Sequence, residues 1–483
     1  VQNTVELNSK PPLNKNYGMV LNLANSHVQP NRFGNRFFNL GFYLLPFEFN
    51  TLNEILEILT QASKRINNFE DLNEFALESL KAYGMGVGKK YALSILGSNP
   101  AEIQTELRYA QTHLEEVMET GKDWQTPVGS YFTPAPLGPR EKIAFVYPGA
   151  FGTYVGMGSE IFYLFPDTMQ ILQSITSNPK AALNAKVIFP IIKTAEDIER
   201  CQLILQQSPT MMISTGTCFS YLYTTILRDI FKVKPDMTFG YSLGEISMMF
   251  ATGIWSHADA MRTSLETSPI FHERVSGRQT AIREFWKIPD VDDGKPIWSN
   301  YILMAPYEKV KEQIKPHNHV YVTHINTPKQ VVIGGEDGSC RRIADHLKCM
   351  RLKMPYNHAI HCEPVQSEFE AFRRLLDWPV ESDSQIPVYS AAEYAPLKLE
   401  AGTIAQCFAK MLTQRIDFPQ LVNKAYADGA RIFIELGAGS NCSKWINAIL
   451  IDRPHISMSI NQTNARDHVV ILRMLARLIS QRV

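Results

Sequence analysis

Residues 240–245 read G-Y-S-L-G-E, a serine between two glycines, set after the apolar run M-T-F and before the run I-S-M-M-F-A. The G-x-S-x-G spacing suits a sharp strand-to-helix turn, in which Gly240 and Gly244 let neighbouring backbone approach where a Cβ would clash. Such a turn lifts the Ser242 hydroxyl to the carboxyl end of a sheet, in front of a helix N-terminus that favours negative charge. A hydroxyl held there is suited to attack a carbonyl, with the Leu243 amide placed to hold the oxyanion that forms. The serine needs a base. The chain has 12 histidines, and the residues alone do not choose among them, although N-H-A-I-H-C-E-P (357–364) sets His358 and His361 together before a proline-broken loop.

The elements around this turn repeat as strand, loop, helix. K-I-A-F-V-Y (142–147), M-T-F-G-Y-S (237–242) and R-I-F-I-E-L-G (431–437) are short, continuous apolar strands separated by helical stretches, the pattern of a parallel sheet covered on both faces. Between 300 and 355 the texture changes: strand-like Y-I-L-M-A, V-Y-V-T-H-I-N and Q-V-V-I-G-G alternate with helical P-Y-E-K-V-K-E-Q-I and S-C-R-R-I-A-D-H-L, a split β-α-β unit set into the larger one. Residues 41–140 read as a small α/β module, with strands at 42–47 and 89–97, a helix at 50–62 under a possible Asn cap and another at 101–118. The Pro/Gly-rich stretch 126–141 reads as a linker, and the polar, Asn-rich residues 1–40 as an extended tail. The expected organisation is therefore an N-terminal extended segment (1–40), an α/β linker domain (41–140), a large subdomain (141–299 and 356–483) and a small subdomain (300–355).

Composition narrows the function classes. Forty-eight Lys and Arg balance 48 Asp and Glu, so no net positive field invites nucleic acid or an anionic membrane. No apolar run approaches the roughly 18 residues of a membrane helix. Seven cysteines without C-x-x-C or zinc spacing read as reduced thiols of a cytoplasmic protein with no metal site. The D-V-D-D-G run (290–294) lacks the Glu that would close a calcium loop. G-G-E-D-G (334–338) is not followed by G-K-[ST], so it reads as an acidic turn, not a phosphate loop. The first residues show no secretory signal and no initiator Met, as expected of a piece excised from a longer chain or of a processed or recombinant N-terminus.

Residues 141–450 resemble the acyltransferase family typified by malonyl-CoA:acyl carrier protein transacylase and by the acyltransferase domains of polyketide and fatty acid synthases. The resemblance rests on P-G-A-F-G-T-Y-V-G-M-G (148–158), V-K-P-D-M-T-F-G-Y-S-L-G-E (233–245), I-N-T-P-K-Q-V-V-I-G-G (325–335), H-A-I-H-C (358–362) and F-I-E-L-G-A-G (433–439), in the family's order. The 41–140 module resembles the linker domain between ketosynthase and acyltransferase. The Tyr before the nucleophile, the run after the elbow and the terminal L-A-R-L-I-S-Q-R-V are most similar to the acyltransferase domain in the B subunit of bacterial polyunsaturated fatty acid synthases. The resemblance implies an α/β-hydrolase-like parallel-sheet core with an inserted ferredoxin-like small subdomain. It implies Ser242 as acylated nucleophile, His361 as base, the amides of Leu243 and Ala150 as oxyanion hole, and a backbone carbonyl near Ile416–Asp417 orienting the imidazole. Asn326 and Gln330 would line the substrate pocket. Implied partners are acyl-CoA, acyl carrier protein domains with their phosphopantetheine thiol, and other synthase domains or subunits; no separate cofactor or metal is implied.

Two departures bear on the substrate. The His usual before the nucleophile is Tyr241, which reshapes the pocket wall, and the carboxylate-binding Arg of malonyl-specific members falls, counting without gaps, on Thr267. A malonyl carboxylate buried without a guanidinium loses a charged hydrogen bond of roughly 1.5–3 kcal/mol, whereas a neutral acyl chain loses nothing. The expectation is therefore transfer of non-carboxylated acyl groups, with malonyl transfer (Arg274 or Arg278 reaching in from another loop) or thioester hydrolysis by the same Ser/His pair as the alternatives.

Overall fold

The computed structural model describes residues 32–84, 88–138, 140–191, 194–289, 296–382 and 384–483. The chain forms two compact units, the first made of the described residues up to Arg140 with Ile226–Lys234 and Leu472–Val483, the second of Glu141–Thr225 and Pro235–Ile471.

In the first unit, strands β1 (Tyr43–Phe49), β2 (Tyr91–Gly97), β3 (Trp124–Gln125) and β4 (Tyr131–Phe132) form an antiparallel sheet in the order β1-β2-β4-β3. The stretch read as a linker thus contributes strand residues of its own. Its Tyr131 and Phe132 bury their rings in the sheet, and that outweighs the turn-forming prolines around them. Helices Leu52–Arg65, Phe69–Ala82 and Pro100–Thr120 accompany the sheet. The first is capped by Thr51 rather than the expected Asn: the Thr51 hydroxyl accepts from the Glu54 amide, and the Glu54 carboxylate takes the Asn50 N–H. Residues 1–31 lie outside the described residues. Within 32–40 the expected extended segment is instead a helix, Arg32–Asn39, because Phe37 and Phe38 are buried and hold it.

The second unit carries β5 (Lys142–Tyr147), β6 (Met237–Gly240), β7 (Ser299–Leu303), β8 (Val320–Thr327), β9 (Gln330–Gly335), β10 (Arg351–Lys353), β11 (Val388–Ser390), β12 (Ala395–Pro396), β13 (Ile416–Asp417), β14 (Ala430–Glu435) and β15 (Ile456–Ser459). Six form one sheet in the order β12-β11-β6-β5-β14-β15, parallel except at β12. Ile143–Tyr147, Met237–Gly240 and Ile432–Glu435 are buried, as strands covered on both faces must be.

The second sheet runs β10-β7-β9-β8-β13. Its first four strands, with helices Tyr307–Ile314 and Asp337–Leu347, follow the β-α-β-β-α-β order of a ferredoxin-like unit, and β13 joins it parallel to β8. Alternation gives the sheet two faces. Tyr301, Leu303, Val331 and Ile333 enter one apolar cluster with Val310, Ile343 and Ala344 of the helices, so Asn300, Ile302 and Val332 must turn the other way. The acidic turn at 334–338 is structural: the Glu336 carboxylate accepts from the Gly338 and Ser339 amides at 2.9 and 2.6 Å and starts the second helix. The D-V-D-D-G run lies outside the described residues.

Candidate active site

Strand β6 ends at Gly240, and the helix Gly244–Ala251 begins four residues later. The turn between them forces Ser242 into the left-handed region, at φ +56°, a cost the surrounding packing holds in place. Both glycines are required by space. A Cβ on Gly240 would lie 2.3 Å from the Glu245 nitrogen, and one on Gly244 would lie 2.2 Å from the Tyr147 carbonyl oxygen. Both clashes are with backbone. Gly244→Ala is therefore expected to cost about 3 kcal/mol, seen as a lower midpoint in thermal or urea unfolding. Gly402→Ala, whose Cβ meets nothing within 4 Å at the start of the helix Ala401–Thr413, is expected to be neutral or slightly stabilising.

His361, also at positive φ (+61°), lies 2.6 Å through Nε2 from the Ser242 Oγ. Its Nδ1 donates to the Met411 carbonyl at 2.7 Å, and its backbone N–H donates to the Leu412 carbonyl at 2.7 Å. The Nδ1–H bond leaves Nε2 as the acceptor that a base requires. The orienting carbonyl is thus not at Ile416–Asp417. Those residues pair with His324 and Ile325 of β8, whereas Met411 and Leu412 stand in the last turn of Ala401–Thr413, where helix carbonyls have no partner of their own. Ser242 is 4% and His361 0% exposed. Burial pushes the His361 imidazole down to about 4, against the opposing pull of the Met411 carbonyl, so the ring is neutral at pH 7.

Ser242 opens on a cavity of about 240 Å³ between the two sheets, and the twenty described residues that line it include no Lys, Arg, Asp or Glu. Tyr241 and Asn326 line it and bond each other, the tyrosine hydroxyl donating to Asn326 Oδ1 at 2.7 Å. Gln330, expected to line it, stands one step behind, accepting from Asn326 Nδ2 at 3.1 Å. Leu243 is buried directly before the elbow helix, and the backbone at Ala150 forms a 3-10 turn, Ala150–Gly152, whose neighbours Gly149 and Phe151 line the cavity.

Thr267 is not at the site. It ends the helix Ala258–Thr267 exposed, its hydroxyl donating to the Thr263 carbonyl at 2.8 Å, and it borders a separate depression with Arg274 and Trp378. The ungapped count falls on the last residue of this helix, and the side chain there is exposed. Arg274 is held by Glu284 and Glu368, Arg262 pairs with Glu266 along its own helix, and Arg278 is exposed. None of these lines the cavity.

Three contributors went unread in the sequence. His324 sets its ring 4.6 Å from that of His361, nearly perpendicular, and 5.5 Å from Tyr241; the two-residue period of β8 that exposes Asn326 to the cavity exposes His324 with it. Asn300 donates to the His358 and Tyr356 carbonyls at 3.1 and 3.3 Å, fixing the loop that leads to His361. Met411 gives no signal, because a backbone carbonyl has no residue type. His358 itself bonds Ser276 through Nδ1 and stacks on Tyr356 and Phe151. Among the described residues no cluster of three His, Cys, Asp or Glu could hold a metal, and no helix is long and apolar enough to cross a membrane.

No family model matches the chain. It is 24% identical over 418 residues to the B subunit of a polyunsaturated fatty acid synthase from Thraustochytrium sp., an alignment that takes in 83% of this chain and 20% of that protein. The chain therefore spans about a fifth of the length of that relative. It is also 24% identical over 317 residues to a malonyl CoA-acyl carrier protein transacylase of Bacillus subtilis, covering 64% of this chain and 90% of the relative. Among solved structures, the acyltransferase domain of SpnD, in complex with 2-(pent-4-yn-1-yl)malonyl, superposes with a TM-score of 0.67 at 16% identity, over 91% of this chain and 96% of that one. A malonyl-transacylase in complex with a type II acyl-carrier protein gives 0.53 at 17% identity, over 69% and 99%.

Proposed function

We propose, for a chain that belongs with the acyltransferases of the malonyl-transacylase type, that Ser242 takes an acyl group from a thioester as a transient ester and gives it to the phosphopantetheine thiol of an acyl carrier protein. The observation that carries this reading is the 2.6 Å contact between the Ser242 hydroxyl and an imidazole whose other nitrogen is committed to a carbonyl. Neutral His361 takes the serine proton as Oγ attacks the thioester carbonyl. The amides of Leu243 and Ala150 hold the oxyanion, and the imidazolium returns the proton to the departing thiolate. The same steps in reverse pass the acyl group to the incoming thiol. The donor is an acyl-CoA or acyl thioester, and the setting a synthase of the polyunsaturated fatty acid or polyketide type, whose other domains are partners.

The acyl group is uncharged. The cavity wall supports this: among the described residues that line it, no Lys or Arg stands to meet a carboxylate. An unmet malonyl carboxylate forfeits roughly 1.5–3 kcal/mol, about ten- to a hundredfold in loading rate. Incubation with malonyl-CoA and with a set of uncharged acyl-CoAs, followed by intact-protein mass spectrometry, is expected to show faster loading by the uncharged donors. Faster malonyl loading would overturn the neutral-acyl reading. An ester that turns over to free acid at the same rate with and without carrier protein would overturn transfer in favour of hydrolysis.

A further inference from the structure

The cavity does not end at its enclosed part. His324, Val332, Ile302 and Asn300 all line it, and all lie on the sheet face turned away from the helices. So does Met354, just past β10, whose amide donates to the Asn300 carbonyl. Alternation then places Leu352 and Met350 on the same face. Pairing sets them in rows: His324 opposite Val332, Val332 opposite Ile302, Ile302 opposite Leu352. Beside that row Met304 donates its amide to the Met350 carbonyl.

Strand β10 is the edge of its sheet, and its two faces differ. Its charged residues, Arg351 and Lys353, face the helices, where they pair with Asp345 and Asp337. Its one apolar residue, Leu352, faces the cleft and is 63% exposed, and Met350 just before it and Met304 just past β7 are 76% and 47% exposed. Charge on an edge strand, inward-pointing charge included, discourages pairing with another chain, so Arg351 and Lys353 are accounted for, whereas a contiguous exposed apolar patch beside a cavity is of the kind that marks a binding surface.

From this we infer that the cleft face of the small subdomain is a track for the distal part of a long, unbranched, uncharged acyl chain, running from the catalytic pair over Val332 and Ile302 to Leu352 and the Met304–Met350 pair. The inference rests on the proposed esterification of Ser242 and names its substrate class. Three inter-strand steps of about 4.8 Å separate His324 from Leu352, about 14 Å in all. An extended chain advances about 1.2 Å per bond, as a backbone of three bonds per ~3.6 Å residue does, so the track accommodates about twelve carbons. Full burial of a methylene is worth about fourfold in binding and covering one side of it about twofold.

The experiment is Ser242 loading by acetyl-, butyryl-, octanoyl-, dodecanoyl- and hexadecanoyl-CoA, followed by intact mass in the unaltered chain and in the variants Leu352→Glu and Leu352→Ala. Loading by the unaltered chain is expected to rise with length to about twelve carbons and then level off. The dodecanoyl-to-acetyl ratio is expected to fall at least tenfold in Leu352→Glu and several-fold in Leu352→Ala, whose side chain cannot disturb folding at so exposed a site. An unchanged ratio in both variants would overturn the track. So would an equal loss at every chain length seen only when a carrier protein is the acceptor, because that result assigns the patch to protein docking. Failure of every thioester to acylate Ser242 would instead remove the underlying reading, and is told apart by the absence of any adduct.

Discussion

His361→Ala is expected to slow acylation of Ser242 by about 10²–10⁴, the usual worth of a positioned general base, and Ser242→Ala to abolish the acyl adduct. Both side chains are buried and joined by one hydrogen bond, so they act as a unit. Ser242→Ala/His361→Ala should be no worse than Ser242→Ala alone, because the base has nothing left to activate. The pH profile separates this from a structural loss. With the imidazole pushed down to about 4, the unaltered chain should load at a rate independent of pH from 6 to 8, falling about tenfold per unit only below pH 4. His361→Ala should show no such acid limb and a rate that rises with hydroxide. Measurement is by stopped-time mass spectrometry with an uncharged acyl-CoA. A variant within threefold of the unaltered rate would remove His361 from the mechanism.

The pair was legible in the sequence for different reasons. Ser242 announces itself locally, because a strand, two glycines and a helix within ten residues admit one kind of turn, and the Cβ clashes at Gly240 and Gly244 are the physical content of that motif. His361 lies 119 residues away, and nothing in its own neighbourhood separates it from His358. Order among distant motifs singled it out, not local chemistry. Six strands of the parallel and ferredoxin-like sheets, β5 to β9 and β14, followed from apolar periodicity and alternation to within two or three residues, whereas β10 to β13 and β15 went unread because strands of two to four residues are too short to show a period. What escaped is what depends on side-chain direction at an element's end or on backbone alone. Thr267 holds the expected helix position, yet its hydroxyl turns back onto its own helix. The Met411 carbonyl is available because a helix stops there, and helix ends are the least certain boundary in any sequence reading. The helix Arg32–Asn39 was hidden in a polar stretch because two adjacent phenylalanines, not a periodic stripe, anchor it.

Glu245→Gln is expected to stabilise the protein at pH 8 by about 3 kcal/mol and to change it little at pH 5. Glu245 stands in the first turn of the elbow helix, fully buried. Its Oε1 accepts from the Ala391 amide at 2.5 Å, and its Oε2 has no hydrogen-bond partner among the described residues. One hydrogen bond does not offset the loss of water around a carboxylate, and desolvation pushes the group up to about 8 from an ordinary 4.5. The folded chain therefore keeps a proton that the unfolded chain releases. Between pH 4.5 and 8 the native state binds more protons than the unfolded one, so this group's contribution is fully present below 4.5 and is lost as pH rises through 8, at up to about 1.4 kcal/mol per unit. Glutamine keeps the carbonyl that the Ala391 amide needs and cannot ionise, so the loss disappears. The buried histidines act in the opposite sense. His361 and His358, both pushed down to about 4 by burial, contribute stability present above 6.5 and lost as pH falls through 4. The two trends place maximal stability on the acid side of neutrality, and denaturant midpoints of the two chains at pH 5 and pH 8 test them together. Equal midpoint differences at both values would mean that Glu245 is ionised in the fold. If the expected pattern holds, loss of acyl loading above pH 8 comes from release of the Glu245 proton beneath the elbow and not from the chemistry of the hydroxyl, and Glu245→Gln should extend loading to higher pH without changing its rate at pH 6.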